Sequence, residues 1–325
     1  MPLLNNDSLK IRHSLFDAVS LAQTVAPLYS LKIDNACLLH RGFNDSYRIS
    51  TPEANYLLRL YRCDWRNKEE ILAEIHLLHY LKQQGLPVSE SLMQQKGDFV
   101  FTIEAPEGTR YGALFTWAQG NIPLQLNPEQ LQTLGTLLAR IHLISDKFSL
   151  PLTRPIWNEQ ALIFRPFQIL TQHFPQQQSS FDALSSKFFE KAKALEELPR
   201  PHPDYGLIHG DFLRVNFFEN GSSQFTLFDF DFSGYAYRIF DLATFKWSLQ
   251  ATEKDPEGDF HIFLESYQNL ITLSTPSLHC LGLFIAIRQL WVWSLNVEYG
   301  DDFRRLNDHQ FRHYHQTLLE LLENT

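Results

Sequence analysis

Residues 208–231, IHGDFLRVNFFENGSSQFTLFDFD, constrain this chain more than any other stretch. His209, Gly210 and Asp211 precede Asn216, which follows Asp211 by five positions, and the apolar run FTLF then delivers Asp229 and Asp231. Short apolar segments that end in carboxylates and an amide read as strand ends projecting hard oxygen donors into a common space. A chain with this stretch must build at least two short strands around it. Other parts of the sequence must supply the complementary charge.

Composition narrows the setting. The 325 residues suffice for two packed units with separate cores. With 44% hydrophobic and 20% charged residues the chain reads as an ordinary globular enzyme. A net charge of −9 argues against a broad nucleic-acid surface. Cys37, Cys63 and Cys280 are isolated, without zinc-ligand spacing, and read as reduced thiols of a cytoplasmic protein. The opening MPLLNNDSLKIRH has no basic segment followed by an apolar one, so no signal peptide is expected. The longest apolar run, 280–295, is broken by Arg288 and Gln289 and is expected to be a buried helix, not a membrane span.

Periodicity divides the chain in two. Residues 8–28 have helical spacing and stop near Pro27; 36–39 and 46–49 are expected strands around the turn Arg41-Gly42-Phe43-Asn44-Asp45. A third strand, NYLLRLY, spans 55–61, a helix spans 67–84 up to Gly85 and Pro87, and 98–103 and 112–117 are further strands. Helices then dominate: 128–144, 158–172, 181–197, 242–250, 260–273, 278–297 and 311–323, interrupted by strands only within 207–231. The expected fold class is α+β. An antiparallel sheet with an inserted helix occupies residues 1–117, a larger helical part occupies 118–325, and the linker lies at 116–120.

The order and spacing in 208–231 are those of a phosphoryl-transfer loop followed by a metal-binding strand end. Such chemistry needs a carboxylate that orients an acceptor hydroxyl and takes its proton, and cations on the phosphate oxygens. Asp211 is the candidate for the first task, with His209 as a structural hydrogen-bonding neighbour. Asn216 and Asp229 are the candidate magnesium ligands; Asp231, one pleat after Asp229, shares its facing and is a further candidate. Arg59 is the one charged residue in NYLLRLY. Its ordinary reading is a solvent-facing position, and its functional one a phosphate contact fixed by an acidic residue of helix 67–84. Glu69, Glu70 and Glu74 all lie there, so the choice stays open, although Glu74, just ahead of Leu77, Leu78 and Leu81, is aimed inward. Gly42, Asn44 and Ser46 could cover nucleotide phosphates, although they are also ordinary hairpin residues.

Taken together, GFNDSYRI, NYLLRLY, AEIHLLHYLKQQGLPV, LGTLLARIH, LIHGDFLRVN, FTLFDFD and RIFDLATF resemble the aminoglycoside phosphotransferase and choline kinase-like superfamily, which includes type II homoserine kinases. The resemblance runs from the first hairpin to Phe245 and more loosely through the helix containing residues 287–291. It implies a protein-kinase-like bilobal fold, ATP with Mg2+, and a phosphotransferase acting on an alcohol group. By matched position it implies Asp211 as catalytic base, Asn216 and Asp229 as metal ligands, and Arg59 with Glu74 as the phosphate-positioning pair. It also makes Asp241 a brace of the catalytic loop, compatible with a local reading as helix N-cap for Leu242 onward. Phe115 and Trp117, within 115–120, match the hinge that contacts adenine. The chain departs from many relatives at Leu213-Arg214-Val215, where they have a histidine and small residues, and in having Arg59 where lysine is more common.

The expected acceptor is a small molecule bearing a hydroxyl, with neither nucleic acid nor membrane as partner. Residues 158–172 and 288–298 are candidate lining. Trp291, Trp293 and Tyr299 could box a quaternary amine, against the ordinary reading of such aromatics as core. Asp301 and Asp302 could bind a cationic sugar or belong to an exposed loop. Two competing readings are a nucleotide-binding pseudokinase, motivated by Leu213-Arg214-Val215, and a protein Ser/Thr kinase, against which stands the lack of an APE-like segment after Asp229.

Overall fold

The computed structural model describes residues 10–149, 154–221, 223–300 and 308–323. Its chain forms two units, one running to His79 and resuming over Ser89–Trp117, the other holding Tyr80–Val88 and Ala118 onward.

In the first unit β1 (Asn35–Arg41), β2 (Asn44–Ser50), β3 (Asn55–Tyr61), β4 (Phe101–Ala105) and β5 (Gly108–Thr116) form an antiparallel sheet of order β1-β2-β3-β5-β4. Strand alternation sorts its faces. Tyr47, Ile49, Leu58, Leu60 and Leu114 form one apolar core with Leu21, Ala22 and Val25 of α1 (Ala18–Tyr29). Each such fully buried aliphatic side chain stabilises by about 1.5–3 kcal/mol. Register places Ser46 opposite Arg59, and Arg59 opposite Ala113, on the other face.

The helix expected over 8–28 starts only at Ala18. The Asp17 carboxylate accepts from Ser20 N–H at 2.8 Å and caps the first turn. Upstream, the carbonyls of His13, Ser14 and Phe16 accept from Arg41, Arg110 and Tyr47. Those carbonyls are therefore committed to the sheet and not to a helix.

Asp45, read as a turn residue, belongs to β2 and is fully buried. Arg110 Nη2 donates to it at 2.8 Å and His13 Nε2 lies 2.9 Å away. Burial alone would raise the Asp45 carboxyl, but the hydrogen bonds and charges of His13 and Arg110 outweigh it and hold the group below its ordinary range. The turn therefore shrinks to Gly42-Phe43, and the Phe43 ring packs on Trp65 at 4.9 Å.

The second unit is built on α3 (Pro128–Ser145), α4 (Arg165–His173), α5 (Gln178–Ala192), α6 (Ile239–Gln250), α7 (Pro256–Gln268), α8 (Thr275–His279), α9 (Leu281–Tyr299) and α10 (Asp308–Glu323). A helix N-terminal capping box between Asn127 and Gln130 opens α3. Gly135 lets α3 approach α7, since a Cβ there would collide with Phe263 O. Helix α9 runs through the interior, packing on α4, α6 and α10. The segment 158–172 is not one regular helix: a π turn, Gln160–Phe164, leads into α4, with Pro166 at its first turn. Two small antiparallel ladders complete the unit, β6 (Tyr205–Ile208) with β9 (Gly234–Tyr237) and β7 (Phe217–Glu219) with β8 (Phe225–Leu227). Strand β9 is not evident from sequence, because Gly234 and alternating tyrosines give it no apolar run. Among the described residues no helix is long and apolar enough to cross a membrane.

Candidate active site

In the first unit, Arg59 and Glu74 are both buried, at 5% and 1% exposure. Arg59 Nη1 donates to Glu74 Oε1 at 2.9 Å, and Tyr61 Oη donates to Glu74 Oε2 at 3.3 Å. The Arg59 guanidinium also lies 5.0 Å from the Phe115 ring centroid. The solvent-facing alternative for Arg59 is thus overturned by burial. The three glutamates of α2 (Lys68–Gln83) differ in their bonds: Glu69 is exposed, Glu70 exchanges hydrogen bonds with Asn67 at the helix start and lies 3.7 Å from Arg66 Nη1, and Glu74 pairs with Arg59. Removing one member of a buried pair strands the other charge, at a cost of about 3–5 kcal/mol. Glu74→Ala is therefore expected to lower unfolding free energy by about that amount in urea titrations; a loss under about 1 kcal/mol, typical of surface pairs, would contradict the pairing.

Asn44 and Ser46 lie within β2, and only Gly42 stays in the turn. Phe115 is buried on β5, while Trp117 is half-buried one residue past its end.

In the second unit the 209–216 loop begins where β6 ends. Gly210 has φ 80°, and a Cβ there would strike Phe232 O, so only glycine fits. The fully buried Asp241 carboxylate accepts from the backbone N–H groups of His209 and Gly210, each at 2.8 Å. Asp241 is the third residue of α6 and not its N-cap; its side chain turns to the loop instead of the helix's own amides. His209 Nδ1 accepts from Asp211 N–H at 3.2 Å, and its ring packs on Phe230 at 4.2 Å. Asn216 closes the loop through Nδ2, which donates to Asp211 O at 2.8 Å and Asp211 Oδ2 at 2.7 Å. Asn216 lies in a 3-10 turn, Arg214–Asn216, and not at the start of a strand.

Behind the loop, His142 of α3 sits between Asp241 and Tyr267, with Nε2 3.0 Å from Asp241 Oδ2 and Nδ1 2.9 Å from Tyr267 Oη. Burial holds His142 and His209 below the ordinary imidazole range; for His142 the hydrogen bond and charge of Asp241 push upward and are outweighed. A neutral His142 then donates from Nε2–H to Asp241 and accepts the Tyr267 hydroxyl proton at Nδ1. The unfolded chain protonates these rings near 6.5, the folded chain only at lower pH, so the unfolded state binds more protons and stability falls on acidification below that value. Thermal melts should show Tm declining from pH 7 to pH 5, less steeply in His142→Gln; identical slopes would contradict the coupling.

Asp229 adopts φ 64°, ψ 60°, a left-handed conformation uncommon outside glycine and a strain often found at functional positions. Phe228 N–H donates to Asn216 O at 3.0 Å, which brings Asp229 beside Asn216 in the chain's path. The Asn216 bonds run through its amide nitrogen and do not use Oδ1, a hard oxygen of the kind magnesium prefers. Asp231 does not share the facing of Asp229. The left-handed residue and the 3-10 turn Phe230–Phe232 break the pleat, and Asp231 is buried at 1% exposure.

Trp291 and Trp293 form no common box. Two residues apart on α9, they point to different faces: Trp291 packs on Trp157, Phe232 and Phe240, and Trp293 on Phe181, Phe311 and Tyr314. A cavity of 220 Å³ in the second unit is lined by Asn158, Glu159 and Leu162 from the segment expected to line an acceptor site. On α9, however, its lining is Phe284 and Ile287, ahead of 288–298. Asp301 and Asp302 lie outside the described residues.

Arg288, which opens the 288–298 segment expected to line the acceptor site, pairs with Asp211, a role that sequence reasoning did not give it. Arg288 of α9 is buried at 3% exposure; its Nη2 pairs with Asp211 Oδ1 and its Nη1 donates to Gly210 O at 3.3 Å. The available signal was an arginine interrupting the longest apolar run of the chain. Arg214, in the unusual part of the loop, donates to Leu124 O at 2.6 Å and to Glu253 Oε1 at 3.0 Å.

Comparison with known proteins shows the family and the fold. Residues 38–269 match the model of the phosphotransferase enzyme family. An uncharacterised protein of Deinococcus radiodurans is 30% identical over 306 residues, covering 90% of this chain and 85% of its own. Homoserine kinase of Polaromonas naphthalenivorans is 26% identical over 303 residues, covering 86% of this chain and 87% of its own. Among solved structures, amicoumacin kinase hAmiN in complex with AMP-PNP, Ca2+ and Ami superposes with a TM-score of 0.81 at 21% identity, covering 95% of this chain and 94% of that one. The chain belongs to the phosphotransferase enzyme family, and its fold is kinase-like.

Proposed function

We propose that this chain transfers the γ-phosphate of ATP to a hydroxyl of a small-molecule acceptor. The observation that carries the reading is the Asp211 carboxylate, oriented by Asn216 on a loop pinned by Asp241, in a chain of this family. Homoserine kinases and amicoumacin kinase among the relatives support an alcohol acceptor, and the AMP-PNP and Ca2+ of the hAmiN complex support a nucleotide with a divalent ion.

Asp211 orients the acceptor hydroxyl and takes its proton as the new oxygen–phosphorus bond forms and the bond to the ADP oxygen breaks. Arg59, directed by Glu74, would hold phosphate oxygens, Gly42, Asn44 and Ser46 would cover them, and the segment with Phe115 and Trp117 would contact the adenine through backbone groups. Magnesium, when bound, neutralises charge on the transferring phosphate, and Asn216 and Asp229 are the residues that would hold it. Asp231 supports the turn and is not assigned to the metal.

Magnesium-dependent ADP release over a panel of hydroxyl compounds tests the proposal. Acceptor-dependent ADP release is expected for at least one amino alcohol, amino acid or sugar in the panel. A second reading, a nucleotide-binding protein without turnover, is favoured by the Arg214 clasp on Glu253 and Leu124. Tight magnesium-dependent ATP binding with no acceptor consumed would select it.

A further inference from the structure

We infer that Arg288 is a positioning residue that sets the orientation of the Asp211 carboxylate. The inference rests on the phosphotransfer reading above and extends it to a residue of α9. An arginine buried in an apolar helix is costly unless its charge and its N–H groups are satisfied. The hydrogen bonds of Arg288 go to one short stretch of the loop, Asp211 Oδ1 and the Gly210 carbonyl, while its buried Nε makes none. Its guanidinium lies 5.6 Å from the Trp247 ring centroid and 5.0 Å from that of Trp291, which restricts its plane. Trp247 is itself fixed, donating from Nε1 to Gln289 Oε1 at 2.8 Å.

A purely structural role, tying α9 to the loop backbone, explains less. Asp241 already holds the amides of His209 and Gly210 at 2.8 Å each. What Arg288 adds is a hold on the side chain. With Asn216 on Oδ2 and Arg288 on Oδ1, the carboxylate is gripped at both oxygens and its plane is fixed. Each oxygen keeps a lone pair for an incoming hydroxyl. A lysine would keep the charge but lose the fork that reaches carbonyl and carboxylate together.

The test uses the full chain with Arg288→Ala and Arg288→Lys, assayed for magnesium–ATP binding, for kcat and KM in ADP release, and for rescue by added guanidinium. Both variants are expected to bind ATP within about twofold of wild type and to lose about 10²-fold in kcat, the scale of an ångström-level misplacement. Millimolar guanidinium should restore part of kcat in Arg288→Ala, where the slot between the tryptophans is vacated, and none in Arg288→Lys. A folded Arg288→Ala with wild-type kcat, or with a loss that guanidinium does not touch, overturns the inference. Should Arg288→Ala fail to fold, a wild-type kcat in Arg288→Lys overturns it equally. Asp211→Asn in the same assay separates the two claims. If it retains wild-type turnover, the assignment of Asp211 as base, on which the inference rests, fails; if it is inactive while Arg288→Ala is not, only the positioning claim fails. If wild type shows no turnover, crystal structures of wild type and Arg288→Ala decide: an Asp211 carboxylate turned out of its wild-type plane upholds the inference, and an unchanged carboxylate overturns it.

Discussion

Asp211→Asn is expected to lower turnover by about 10²–10⁴-fold while leaving the chain folded and able to bind ATP. The amide keeps the size of the carboxylate and can still accept from Arg288 or Asn216, but it cannot take the acceptor's proton. Asp211→Ala is a poorer probe. It would leave Arg288 buried at 3% exposure with its ion-pair partner gone, a change that costs about 3–5 kcal/mol in its own right. Loss of activity in the alanine variant would then mix chemistry with stability. Kinetics of Asp211→Asn, paired with its melting curve and an ATP titration, separate the two. Turnover within threefold of wild type would remove Asp211 from the chemistry.

Asp241→Ala is expected to have the largest effect on stability. One fully buried carboxylate receives the backbone amides of His209 and Gly210 and the imidazole of His142. Its removal orphans three buried donors, each costing about 1–3 kcal/mol, so a loss of about 3–6 kcal/mol is expected once some relaxation is allowed. Asp241→Asn does not rescue fully, because an amide nitrogen would face a donor in place of an accepting oxygen. Urea unfolding of the three proteins measures this directly. A loss below about 1 kcal/mol for the alanine variant would show that the bonds are dispensable.

Much of the fold was legible because its signals are local. The strand NYLLRLY is found at Asn55–Tyr61 as expected, and the helix expected over 128–144 is Pro128–Ser145, opened by a capping residue and proline. What was not legible depends on partners distant in sequence. The helix expected from residue 8 starts at Ala18 because side chains of Arg41, Tyr47 and Arg110 claim the carbonyls ahead of it. Asp45 looks like a turn residue until Arg110, 65 positions away, is brought against it. Asp231 looked equivalent to Asp229 because period-two reasoning assumes an unbroken strand, and a left-handed residue breaks this one. The tryptophans of α9 share a sequence neighbourhood and not a face.

The candidate site divides along the same line. Asp211 and Asn216 are five residues apart and were evident as a motif; their 2.7 Å hydrogen bond follows from that spacing. Helix facing aims Glu74 inward but leaves the choice among Glu69, Glu70 and Glu74 open; the family resemblance picked Glu74. Arg288 could not be assigned to Asp211, because positions 77 apart carry no periodic relation. Only the cost of burying its charge marked it as a residue in need of a partner.

The central claim is that this chain moves a phosphoryl group to a hydroxyl through Asp211. The most direct measurement is phosphorus NMR of ATP and magnesium incubated with a hydroxyl-acceptor panel, comparing wild type with Asp211→Asn. The account predicts ADP and a new phosphate-ester resonance in stoichiometric amounts with wild type, and neither above background with the variant. Phosphate-ester formation at equal rates in both proteins, or ATP bound by wild type with no acceptor modified, would contradict it.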